Sequence, residues 1–328
     1  MMKSTFTATV LALALSTSVE AADKVKFQLD WLPGGDKAPI YVCIERGFCE
    51  KAGLDVTIEP GRGSSEALTK LATGSSDIGI SGIGALMAAR ANEGIEVTAV
   101  MSVFNKGPHA FFTLKGNKID DFGDIDGKSV ATSPFTSSNV YLPLVLQDNG
   151  ISIDNLKLTK SDPGALGPML VTGQVDAIIA WLTDLSRYER QAAAGGRELM
   201  IMPWSEAGLE MYATSLVASN RFLKERPDVA RRFVGAFRKS VEYARENPAD
   251  AAQAVADAVP ELDAADAEAS LSDALVLIFN EVTHAEGLGT LDPDRLAATW
   301  QRVAAAQGIE VEALDPESIV DRNFIEEN

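Results

Sequence analysis

The residues of this chain best suited to gripping a small molecule fall at the ends of short apolar runs. Asp30, Trp31 and Lys37 follow VKFQL (25–29), Ser64 and Ser65 follow DVTIE (55–59), and Ser81 and Gly82 close IGIS (78–81). In a second block, Thr136 and Ser137 follow KSVAT (128–132), and Trp181 and Asp184 follow an apolar run over 175–180. Each type has a use. The two indoles can stack on a flat ligand. The aspartates can accept hydrogen bonds from an amine or a ring N–H, and Lys37 can hold an acidic group. Small hydroxyls beside glycine at a helix start leave backbone N–H groups aimed at an anion or a carbonyl oxygen. Core packing and helix capping are the plainer roles for the same residues. What singles them out is recurrence after successive strands, in two blocks, as if one site were built from two sides.

Catalysis finds no such support. His109 and His284 lie in the sequence away from the serine-rich loops, and neither H-x-x-x-H nor C-x-x-C spacing occurs, so no catalytic set, metal site or cofactor is expected. Gly61-Arg62-Gly63-Ser64-Ser65 lacks the Gly-Lys-Ser/Thr ending of a phosphate loop, and no G-x-G-x-x-G follows the first strand.

The elements that must position these residues alternate. Apolar runs at 25–29, 55–59, 78–81 and 97–103 predict strands, and stretches over 38–46, 65–73 and 84–91 predict helices. The second block repeats the scheme, with strands at 128–132, 156–159, 175–180 and 199–202 and helices at 138–149, 164–172 and 183–194. This alternation predicts α/β architecture with largely parallel sheets, whose ligands bind beyond the strands' carboxyl ends. Extended runs at 110–114 and 212–218 are read as two crossings between two lobes. After Asn220 the pattern turns helical: 227–247 carries Val229, Phe233, Phe237, Val241 and Ala244 as an apolar stripe, opened by Pro227. Later helices at 263–279 and 292–307 are expected to pack back on the first lobe. The resulting division is a signal peptide at 1–21, first lobe at 22–112, second lobe at 113–212, and a return to the first lobe at 213–328.

The 328 residues are 46% hydrophobic and 23% charged, ordinary for a globular chain of two domains. A formal net charge of −18 argues against nucleic acid as a partner, because that class carries a basic footprint. Lys3, the apolar segment 6–15 and Val19-Glu20-Ala21 read as a secretory signal cleaved near Ala21. No later window is long and apolar enough to span a bilayer. Cys43 and Cys49 on one continuous helix would sit about 9 Å apart along its axis, which favours two unpaired thiols. Gly47 between them leaves open a turn that would bring them together in an oxidising compartment.

Leu29-Asp30-Trp31-Leu32-Pro33, Ala38-Pro39-Ile40-Tyr41-Val42, Glu45-Arg46-Gly47-Phe48 and Gly53-Leu54-Asp55-Val56 resemble the opening of the solute-binding proteins for thiamine precursors, taurine, sulfonates and nitrate. Pro60 to Ser65, Gly74 to Gly79, Asp126-Gly127-Lys128, Thr172 to Ala177 and Asp321 to Ile325 continue the likeness over nearly the whole mature chain. The resemblance implies a type II periplasmic binding protein: two α/β lobes joined by two crossover strands, with C-terminal helices on the first lobe. It implies a monomer in the periplasm that closes on a small molecule and delivers it to an ABC transporter permease in the inner membrane. The branch that looks most similar binds pyrimidine precursors between aromatic rings. Two departures bear on the ligand. Pro33-Gly34 and Lys37 stand where that branch often reads Pro-Asn and then His, and Trp181 is followed by Leu182-Thr183-Asp184 rather than Asn-x-Glu. Lys37 would suit a sulfonate or carboxylate instead. A fungal enzyme of the superfamily that builds the thiamine pyrimidine is the rival from another class.

Overall fold

The computed structural model describes residues 21–325, so the signal-peptide segment lies outside the described residues, apart from its last position, Ala21. The first sheet contains β1 (Asp23–Gln28), β2 (Leu54–Glu59), β3 (Ile78–Gly82), β4 (Val97–Ser102) and β10 (Thr214–Ser219). The second contains β5 (His109–Leu114), β6 (Ser129–Thr132), β7 (Lys157–Lys160), β8 (Ala177–Trp181) and β9 (Leu199–Pro203). Their orders, β2-β1-β3-β10-β4 and β7-β6-β8-β5-β9, follow one scheme. In each sheet three strands pair in parallel, and one antiparallel strand, β10 or β5, separates them from the last. Strands such as β3, β5, β8 and β10 are buried on both faces, which is why they read as continuous apolar runs.

The first lobe carries α1 (Ala38–Glu45), α2 (Phe48–Lys51), α3 (Ser64–Ala72) and α4 (Ile83–Glu93). The second carries α5 (Ser138–Asp148), α6 (Pro163–Val171) and α7 (Leu185–Ala194). The return segment adds α8 (Asn220–Glu225), α9 (Pro227–Glu246), α10 (Pro248–Ala258), α11 (Ala264–Ile278), α12 (Glu281–Glu286) and α13 (Pro293–Gln307). The stripe of α9 lies against the first sheet, where Phe233 and Phe237 stack on Phe27. No helix among the described residues is long and apolar enough to cross a membrane.

Two expectations need correction. The boundary expected at 112/113 falls inside β5, all of which pairs in the second sheet; the chain passes between sheets earlier, through 103–108, and returns through 204–213. These connections run side by side: Val103 and Phe104 N–H donate to the Thr214 carbonyl, and Ala213 N–H donates to the Phe104 carbonyl. The C-terminal helices pack on the first lobe, as expected, and also touch the second. On α11, Ser270 donates to the Thr183 carbonyl and accepts from Asp36 N–H, and on α13 Gln307 donates to the Val140 carbonyl. Finally, Cys43 and Cys49 form a disulfide with their Cα atoms 5.0 Å apart. Gly47, at φ 72°, ends α1 and turns the chain into α2, so the continuous helix assumed for the free thiols does not exist.

Candidate functional site

The carboxyl ends of both sheets face one seam between the lobes. β1 delivers Asp30 and Trp31, followed by a single turn at Gly35–Lys37. Asp30 is 1% exposed and Lys37 2%, so this is a buried charge cluster. Lys37 Nζ lies 3.0 Å from Asp30 Oδ1 and 2.8 Å from Asp36 Oδ2. Burial works against the lysine's charge, but the two carboxylates outweigh it and hold the ammonium above the usual lysine range. Burial in turn pushes the Asp36 carboxyl up. Such a cluster is costly to bury and stands only because its charges are paired.

The second lobe closes on this cluster from the opposite side. Trp181, the last residue of β8, lies beneath Lys37, with Nζ 5.2 Å from a ring centroid. Its Nε1–H donates to Ser138 Oγ at 3.3 Å. Asp184 pairs with Arg187 at 3.2 Å, one helical turn on, and Arg187 donates to Tyr188 Oη. The two tryptophans cross over. Trp31 of the first lobe packs in the second lobe's apolar cluster with Phe112 and Leu166, and Trp181 packs in the first lobe's core with Phe104. Each indole therefore fastens one lobe to the other.

The hydroxyl loops are placed together as well, but they do something other than cap helices. Neither α3, α4 nor α5 has a side-chain cap at its N-terminus. Ser64 Oγ accepts from Gly82 N–H at 3.0 Å, while Ser81 Oγ sits 3.4 Å from the Ser64 carbonyl. Ser65 N–H donates across the seam to the Phe135 carbonyl at 3.0 Å, and Ser133 Oγ donates back to the Arg62 carbonyl at 2.8 Å. Thr136 Oγ1 contacts Ser138 Oγ at 3.3 Å. Glycines make this approach possible. A Cβ on Gly63 would lie 2.2 Å from the Phe135 carbonyl carbon, one on Gly82 2.6 Å from Ser137 Cβ, and one on Gly84 1.8 Å from Tyr141 Oη.

Several buried polar atoms in this region have no hydrogen-bond partner among the described residues: Asp30 Oδ2, Trp31 Nε1, Ser137 Oγ and Ser102 Oγ. Buried groups of this kind are normally satisfied, so each asks for a partner. Beside Lys37 there is a void of about 10 Å³, bounded also by Phe104 and Thr214. A hollow of about 340 Å³ opens on the hinge side, lined by Lys106, Leu182, Glu206 and Arg295, and none of the eleven candidate residues lines it.

Sequence reasoning missed four contributors. His109 was expected away from the serine loops, yet antiparallel pairing sets it opposite Trp181, and its Nδ1 is 2.9 Å from Ser138 Oγ. Burial pulls its pKa down to about 3, so the ring is neutral. Its far nitrogen, Nε2, has no partner among the described residues, so no carboxylate completes a triad. Ser138 falls in the same strand-end loop as Thr136 and Ser137 but is not among the residues expected at the site. Asp36 sat unremarked beside Lys37. Arg187 had a signal available, the i,i+3 spacing from Asp184 on a helix.

Residues 35–251 match the family model described as NMT1/THI5 like. The chain belongs to this family. Among curated relatives of the NMT1/THI5-like chain is 4-amino-5-hydroxymethyl-2-methylpyrimidine phosphate synthase THI13 of Saccharomyces cerevisiae, 24% identical over 74% of this chain and 73% of that protein. A putative thiamine biosynthesis protein of Haemophilus influenzae is 29% identical over 75% and 76%. Among solved structures, the alkanesulfonate-binding protein SsuA of Xanthomonas axonopodis pv. citri superposes with a TM-score of 0.72, at 16% identity, covering 92% of this chain and 99% of that one. The fold is therefore that of the periplasmic binding proteins of ABC importers, two α/β lobes as expected from the sequence.

Proposed function

We propose that this protein is the extracytoplasmic solute-binding subunit of an ABC importer. It captures a small, flat, donor-bearing heterocycle of the thiamine-pyrimidine-precursor kind between its two lobes. The carrying observation is the seam itself: buried Asp30 and Lys37 from one lobe meet Trp181 from the other, beside polar atoms that lack partners among the described residues. A ring with an exocyclic amine would satisfy Asp30 Oδ2 through its donors and stack on an indole. The ligand shifts an open–closed equilibrium because only the closed form makes both sets of contacts, and the permease reads closure. A monomer in the periplasm fits this role, and the Cys43–Cys49 disulfide supports an oxidising compartment.

The charge balance favours this ligand over a sulfonate or carboxylate. Lys37 is already neutralised by two aspartates and is not free to hold an anion. The synthase named among the yeast relatives keeps an enzymatic reading in the test. A thermal-shift screen of pyrimidines, flavins, sulfonates, carboxylates and quaternary amines should single out aminopyrimidines, since a ligand of the folded state raises its melting temperature. Selective stabilisation by sulfonates would reject the ligand class. Turnover or self-modification of the pure protein, seen by mass spectrometry, would reject the binding-protein role.

A further inference from the structure

We propose that Lys37 is an internal occupant of a cation site shared by the two lobes, and that the ligand's amine or amidine group competes with it for that site. The inference deepens the preceding reading and rests on the seam being the ligand cleft.

The geometry around Lys37 Nζ is that of ammonium recognition: carboxylates at 3.0 and 2.8 Å on one side, and an aromatic face at 5.2 Å on the other. The carboxylates belong to the first lobe and the ring to the second. The cation is thus what the lobes share. Without the Lys37 head group, Asp30 and Asp36 would be two buried carboxylates facing Trp181, an arrangement that demands a positive charge from elsewhere. Asp30 keeps a further acceptor, Oδ2, and Trp31 a further donor, Nε1, neither with a partner among the described residues. Lys37 has one ammonium and leaves both unused; an amidine or an aminopyrimidinium presents two adjacent N–H donors and would engage Oδ2 as well. The site therefore ranks a bidentate organic cation above a simple ammonium ion, and an anion last.

Chemical complementation tests this in the mature chain. Lys37→Ala removes the fragment that n-propylammonium replaces, so that ion is the probe and n-propanol its neutral control. Melting temperature and the small-angle scattering radius are read for variant and wild type. The variant is expected to melt lower and to expand. Millimolar n-propylammonium should reverse both changes, with an affinity at least about tenfold above that of wild type, whose own side chain competes. Propanol should do neither. A folded variant that stays compact, or that responds equally to propanol, would overturn the proposal and reduce Lys37 to a space-filler. Should Lys37→Ala fail to fold, Lys37→Met keeps the stem volume; unchanged compactness in that variant overturns the proposal equally. Complementation without any hit in the ligand screen would sink the transport reading and leave the cation site standing.

Discussion

Trp31 and Asp30 show how little a residue's type says without its neighbours. Both are expected from the sequence as ligand contacts, and both are buried in the seam, where their structural role is on view and the binding role is our proposal. Trp31 leaves its own lobe to pack against Phe112 and Leu166 of the other. Trp31→Ala should therefore weaken ligand binding by about 1–3 kcal/mol, because it removes aromatic area available only on closure. Calorimetry with the screened ligand checks this, and unchanged affinity would take Trp31 out of the site. His109 gives a pH signature. Its folded pKa of about 3 lies below its ordinary 6.5, so below pH 6.5 the unfolded chain takes up the proton and the folded chain resists it. Stability from this group is complete above pH 6.5 and declines as pH falls towards 3, at roughly 1.4 kcal/mol per unit. Denaturant titrations of wild type and His109→Asn across that window should differ in slope, wild type being the steeper.

At the scale of elements, the N-termini of α3, α4 and α5 meet at glycines. Their bare backbones let Phe135, Ser137 and Tyr141 of the second lobe come within contact of the first. Gly84→Ala should force Tyr141 away and prop the lobes apart, raising the scattering radius and lowering ligand affinity while each lobe keeps its circular dichroism. An unchanged radius would show that the seam yields elsewhere. The turn from α1 into α2 is the other element-level feature. Its disulfide closes a short loop, and replacing Cys43 and Cys49 together with alanine should cost about 2 kcal/mol by loop-closure entropy. Urea denaturation gives that number. Ligand affinity should be untouched, since the bond lies within the first lobe's core.

The whole molecule is held by more than its two connections. Ser270 on α11 bonds to Thr183 and Asp36, and Gln307 on α13 bonds to Val140, so helices assigned to the first lobe span the seam. Opening must break or carry these contacts along with the latch between Ser65 and Phe135. Ser270→Ala should shift the equilibrium towards the open form and weaken ligand binding a few-fold, because its bond to Thr183 exists only across closed lobes. Equal affinity would mean that α11 moves with the second lobe.

The sequence alone determined the order of the strands and of most helices between them, the two-block plan and the loops that carry Asp30, Trp31, Lys37 and Trp181, though not α2, α8, α10 or α12. Apolar periodicity and strand ends are local properties of a chain, so they are legible in one dimension. It did not determine that β5 belongs wholly to the second sheet, that Cys43 and Cys49 pair, or that His109 reaches Ser138. Those depend on which strands become neighbours and on where one glycine turns the backbone. Nor could it show that Lys37 is spent on two aspartates and an indole, because such a meeting is settled only when two separately built lobes come into contact.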